Sequence, residues 1–191
     1  MNQRTFWIRL GLACIGLAVA ALWGFSRPQT APTEAARTLK WEALMPEGWD
    51  PDKLLKERGV DQLPEGDAKE DALMLEMREI WDRAPTRSDL EDAHVRLPGY
   101  VVPLEYVLDD MKEFLLVPYF GACVHSPPPP ANQMIHVVLR KPVALRSMDA
   151  VWVSGLLSTT RQHSRWGASG YSLDGLNIEA YVADKKNAAS P

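Results

Sequence analysis

Cysteine is almost absent from this sequence. Only Cys14 and Cys123 occur in 191 residues. The first lies in an N-terminal apolar run and the second far downstream, so a disulfide framework inside one folded domain is excluded. No Cys-x-x-Cys pair and no His-Glu-x-x-His helix occurs, so the strongest short zinc signatures are missing. Phosphate-binding glycine loops, serine elbows, and kinase or dinucleotide fingerprints are missing as well. Basic charge is in short supply, since 21 Lys and Arg face 25 Asp and Glu, a net charge of −4. Residues 1–26 hold only Arg4 and Arg9, so the rest carries 19 basic and 25 acidic residues, or −6. Such a body displaces few counterions from a duplex, and nucleic acid is not the expected partner.

What is present is an ordinary foldable composition, 46% hydrophobic and 24% charged. It supports one domain of about 100–150 residues plus a tail or anchor. The anchor is legible at the N-terminus. Leu10 to Phe25 carries no charge, and Phe6, Trp7 and Ile8 extend it past Arg9 toward the ~20 residues that span a bilayer. Residues 1–26 therefore read as a single-pass anchor in the inner membrane, with the C-terminal domain in the periplasm. A secretory signal cleaved near Ala18-Val19-Ala20 is the alternative; the bulky Trp23 and Phe25 favour the anchor. Gly11-Leu12-Ala13 ahead of Cys14 makes a poor lipobox. Residues 27–40, rich in Ser, Pro, Thr and Ala, read as a tether.

Beyond the tether, residues 41–92 read as a helical extension. Trp41 to Met45 reads as a short strand or extended anchoring piece. A short helix is expected from Pro51 to Arg58, capped by Asp50 and stopped by Gly59. A longer one is expected from Asp67 to Arg83. Its apolar stripe is Leu73, Met77, Ile80 and Trp81. From residue 93 to 184 the pattern changes to β-branched and aromatic runs. Five strands are expected near 94–102, 113–120, 134–140, 150–158 and 170–182. Without interleaved helices they suggest a small five-stranded antiparallel barrel of the oligonucleotide/oligosaccharide-binding type, with a sandwich as the other arrangement. Residues 185–191 read as a polar tail.

The segment from Leu115 to Gln133 carries the chemistry. A strand ends at Gly121, and Cys123-x-His125, Pro127-Pro128-Pro129-Pro130, Ala131, Asn132 and Gln133 follow. Four successive prolines form stiff polyproline II. In an extended segment Cys123 and His125 point to one side, and thiolate with imidazole suits zinc or copper. His136 on the next strand and Glu105 complete a candidate metal set. A second reading makes Pro127 to Pro130, Asn132 and Gln133 a docking loop for an aromatic groove. The plain structural reading makes Cys123 a buried small hydrophobe and His125 a hydrogen-bonded loop residue. Catalysis by a Cys123–His125 pair is disfavoured, because side chains two apart on a strand sit about 6–7 Å from each other. His94 and His163 read as lone surface or edge residues. Arg161 to Arg165 reads as a solvated basic loop.

Gly99-Tyr100, Pro103-Leu104-Glu105, Phe114 to Cys123-x-His125, the tetraproline with Ala-Asn-Gln133, Val151 to Gly155 and Gly170-Tyr171 together resemble the domain of unknown function 3299 family. The resemblance covers roughly residues 94–182. It implies a small exported bacterial protein with a β-barrel, whose relatives often sit beside components of metal-uptake transporters. It implies no activity. The resulting expectation is a non-enzymatic accessory protein of the envelope, binding a transition metal or a transporter component, or acting as a protein-interaction module.

Overall fold

In a computed structural model of the chain, residues 35–59, 68–123 and 128–182 are described. The expected anchor, most of the tether and the polar tail lie outside these residues, as do His125 and Pro127. Among the described residues, no helix is long and apolar enough to cross a membrane.

A two-residue strand β1 (Arg37–Thr38) enters beside β2 (His94–Val107) in parallel register. Trp41 to Leu44 then forms a 3-10 turn, where an extended piece was expected. The turn lets Trp41 and Leu44 both reach the barrel core, and the Trp41 indole donates to the Pro98 carbonyl at 2.8 Å. Helix α1 (Pro51–Glu57) follows Asp50, whose carboxylate accepts from the Lys53 amide at 3.1 Å. Gly59 ends it at φ +68°, a conformation glycine adopts without strain. Helix α2 (Ala68–Asp82) turns its stripe inward, with Met77 fully buried and Leu73, Ile80 and Trp81 half-buried.

Five strands close a barrel. These are β2, β3 (Asp110–Val117), β4 (Ile135–Val143), β5 (Ala150–Ser158) and β8 (Tyr171–Ala180). The order runs β2-β3-β4-β8-β5, and β5 pairs back onto β2. The expectation of an all-antiparallel barrel is corrected here. β4 and β8 are parallel, with Ile135 opposite Tyr171 and Leu139 opposite Gly175. Closure demands this, because the long excursion after β5 returns the chain to β4 in β4's own direction. The excursion holds a small hairpin, β6 (Gln162–Ser164) and β7 (Gly167–Ser169). A sandwich is excluded by the closure.

Alternation builds the core. On β2, Val95, Leu97 and Val101 are buried while His94, Arg96 and Tyr100 are half-exposed. Phe114, Leu116, Ile135, Val137, Val153 and Tyr171 meet them inside, together with Leu39, Trp41, Leu44 and Leu90 from the extension. The N-terminal extension thus shares one core with the barrel. Tyr171 joins the two parts, because its hydroxyl donates to the Leu44 carbonyl and accepts from the Arg87 amide, each at 2.7 Å. Gly155 marks the tightest crossing of strands, where β5 shifts register against β8. A Cβ there would overlap the Asp174 carbonyl.

Candidate functional site

On β3 the inward residues are Phe114 and Leu116, so Glu113 and Leu115 face the other way. His136 on β4 lies opposite Leu115 and one diagonal step from Glu113. The His136 Nε2 sits 3.1 Å from the Glu113 Oε2. Glu105 on β2 lies directly opposite Glu113. The β2–β3 register shifts on both sides of Glu105, and a bulge of this kind re-aims a side chain out of the regular pleat. Leu104 and Leu115 complete the strand wall of a pocket of about 410 Å³.

The facing wall is the β6–β7 hairpin, contributing Gln162, His163, Ser164, Arg165 and Ser169. Helix α2 holds this hairpin in place through its C-terminal end. The Arg161 guanidinium donates to the Asp82 carbonyl and, at 2.8 Å, to the Ala84 carbonyl. In return the Asp82 carboxylate accepts from the Ala168 amide at 3.2 Å. Ser164 shapes the turn by donating to the Gly167 carbonyl and accepting from the Trp166 amide, each at 3.1 Å. Arg165 ties the tip to β2 by donating to the Pro103 carbonyl at 3.1 Å. A cavity of this size, with several convergent polar groups, falls in the range of small-molecule sites.

Of the expected metal set, the structure brings Glu105 and His136 into this one pocket. Cys123 sits elsewhere, in a small cluster with Val102, Leu115, Val117, Ala122 and Met134. Its thiol is 3.7 Å from the Met134 sulfur. Burial pushes that thiol up to about 11, against a weaker opposing pull from Arg78. It is therefore protonated at neutral pH, the form that neither ligates nor attacks. His125 lies outside the described residues. Among the described residues, no three His, Cys, Asp or Glu side chains converge in a way that could hold a metal ion.

The proline segment packs against the body. Pro129 is buried and Pro128 and Pro130 are half-buried. Asn132 is fully buried and donates to the Pro85 carbonyl at 2.9 Å. Gln133 donates to the Trp41 carbonyl at 3.0 Å. Both amide NH2 groups thus fasten the extension to the barrel, while the Asn132 side-chain carbonyl is buried without a hydrogen-bond partner among the described residues.

Of the pocket residues only Glu105 and His136 were expected at a site; Glu113, His163, Arg165 and Ser169 were not. Glu113 opens a run that reads as wholly buried, Glu-Phe-Leu-Leu-Val. The signal that finds it is period-two alternation, with Glu113 and Leu115 on one face as His136 and Val138 are on theirs. No local signal could place His163 and Arg165, because the hairpin is set against the strands by contacts distant in sequence, to the end of α2 and to Pro103 on β2.

The family described as "Protein of unknown function (DUF3299)" matches residues 41–180. Among solved structures, a DUF3299 family protein from Pseudomonas aeruginosa PAO1 is similar at TM-score 0.62 and 30% identity, over 79% of this chain and 99% of that one. A small single-stranded DNA-binding protein from Streptomyces coelicolor overlaps at TM-score 0.30 and 14% identity, over 48% of this chain and 96% of that one. An OBody bound to hen egg-white lysozyme overlaps at 0.33 and 15%, over 49% of this chain and 85% of that one. These two overlaps are too slight to carry an argument. No curated protein matches. The extent of the family match and the shared fold at 30% identity establish that this chain belongs to the DUF3299 family.

Proposed function

We propose that this protein is a non-catalytic binding module of the bacterial envelope, whose pocket between β3–β4 and the β6–β7 hairpin takes a small polar ligand. The observation that carries the reading is Ser169. Ser169 is buried and is one of the pocket's lining residues, and its hydroxyl has no hydrogen-bond partner among the described residues. A buried unpaired hydroxyl costs about 1–3 kcal/mol, which a bound ligand recovers.

The barrel's architecture supports the same place. A barrel of five strands supports reading it as the oligonucleotide/oligosaccharide-binding type. Proteins of that fold bind on the outer face of the second and third barrel strands, under the loop between the fourth and fifth. Here those strands are β3 and β4, and that loop is the β6–β7 hairpin. The net charge of −6 beyond residue 26 favours a small solute over nucleic acid. The apolar N-terminal run supports an inner-membrane anchor with the module outside.

Selective isotope labelling of the four histidines tests this in the full-length chain in mild detergent. A library of small amines, acids, amides and polyols is titrated in. The expected result is ligand-dependent movement of the His136 and His163 ring signals with His94 still. Movement of His94 alone, or of none, overturns the assignment.

A further inference from the structure

The pocket carries both signs of charge without joining them. On the strand wall Glu105 has no hydrogen-bond or ion-pair partner among the described residues, while Glu113 is engaged by His136. On the hairpin wall the Arg165 guanidinium meets no carboxylate among the described residues; it contacts the Pro103 carbonyl and lies 5.1 Å from the Trp166 ring centroid. The His163 ring beside it has no hydrogen-bond partner among the described residues either. Arg165 forms no ion pair with Glu105 or Glu113, although all three line the same pocket. Glu105 and Glu113 also sit directly opposite on adjacent strands, an arrangement that like charges disfavour. A cation placed between the two carboxylates and the His136 ring would relieve it.

Resting on the reading that this pocket is the binding site, we propose that its ligand is a small zwitterion of the amino acid or short-peptide class. The ammonium lies against Glu105 and Glu113 on the strand wall. The carboxylate faces His163 and Arg165 on the hairpin wall. The buried Ser169 hydroxyl hydrogen-bonds the ligand between them. Leu104 and Leu115 supply the apolar floor for its carbon chain. Charge on both walls rejects plain amines and plain acids, since each would leave one wall uncompensated.

The test is calorimetric titration of the full-length chain in detergent with three probes of differing charge separation: glutamine, γ-aminobutyrate and glycylglycine. Each is compared with its C-terminal amide and its N-acetyl derivative. At least one zwitterion is expected to bind one-to-one, with either cap weakening it at least tenfold. Glu105→Gln, a residue with no structural partner to lose, is expected to weaken the zwitterion and the amide and to leave the N-acetyl acid unchanged. An amide that binds as well as its parent, or a Glu105→Gln variant with undiminished affinity, overturns the zwitterion assignment. If all three probes fail while other compounds in the histidine-labelled titration still move His136 and His163, the zwitterion assignment falls and the pocket stands. If nothing moves them, both fall.

Discussion

The thiol of Cys123 gives the sharpest test of how this domain treats its one cysteine beyond the N-terminal run. Burial raises it from 9.0 to about 11. A rise of two units lowers the thiolate fraction about a hundredfold at any pH well below nine, and the thiolate is the attacking form. Restricted access adds to this, since only 8% of the residue is exposed. The perturbation is simple, because Cys14→Ser leaves Cys123 as the only reactive thiol in the full chain. Iodoacetamide labelling followed by mass spectrometry is then run folded and in urea. The folded rate at pH 7.5 is expected to be at least about a hundredfold below the unfolded rate. Between pH 7 and 9 it should climb about tenfold per unit, and it should level off near 11 where the unfolded chain levels off near 9. Stability has a matching sign. The folded value lies above the unfolded one, so the contribution of the protonated thiol is complete below pH 9 and is lost as pH rises toward 11. A folded rate within tenfold of the unfolded rate would refute the burial argument and reopen thiolate chemistry at this position.

Other expectations follow from single contacts. Tyr171→Phe strands the Leu44 carbonyl and the Arg87 amide, at about 1–3 kcal/mol each, and thermal unfolding should fall by roughly 5–15 °C. A fall under 2 °C, read by circular dichroism, would mean that the hydroxyl does not tie the extension to the barrel. Gly155→Ala drives a methyl into the Asp174 carbonyl and should abolish soluble folded protein or shift the β5–β8 register, seen as lost amide-exchange protection on β8. Glu113→Gln keeps a group able to hydrogen-bond His136 at this partly exposed contact, so the melting point should barely move while ligand-induced shifts at His136 disappear. Arg161→Ala frees the C-terminal end of α2 and should raise exchange in the β6–β7 hairpin before it affects the barrel strands.

Local chemistry explains which parts of the fold were legible. The five barrel strands follow runs of Val, Ile, Leu and aromatics, and their observed bounds lie close to those read from the chain. Asp50, Pro51 and Gly59 mark α1 because capping and helix termination act within a few residues. The parallel pairing of β4 with β8 was not legible. It depends on where a long excursion returns, and no pair of residues states it locally. Trp41 to Leu44 misled for a related reason. Its apolar residues look like strand, but their burial against Pro98 and the Leu97 face of the barrel selects a tight turn.

The candidate site divides along the same line. Glu105 and His136 stand out as ligand-type residues among hydrophobic neighbours, and the fold does bring them to one pocket. Cys123 and the prolines stand out more strongly in sequence, yet their oddity serves packing. Cys123 adopts φ +65° beneath Met134, and Pro129, Asn132 and Gln133 hold the extension. Rare residues draw the eye because their chemistry is unusual, whereas binding depends on which ordinary charged groups a fold leaves unpaired. Here, among the described residues, Glu105, the His163 ring and the Ser169 hydroxyl have no partner, and Arg165 has no carboxylate. The packing of α2 against a hairpin 80 residues downstream, where Arg161 and Ala168 both bond to Asp82, and the Arg165 bond to Pro103 on β2 set them around one space. That coupling also makes the helix end part of the site's construction. A change at Asp82 should loosen the hairpin wall and weaken ligand binding without touching any group that lines the pocket.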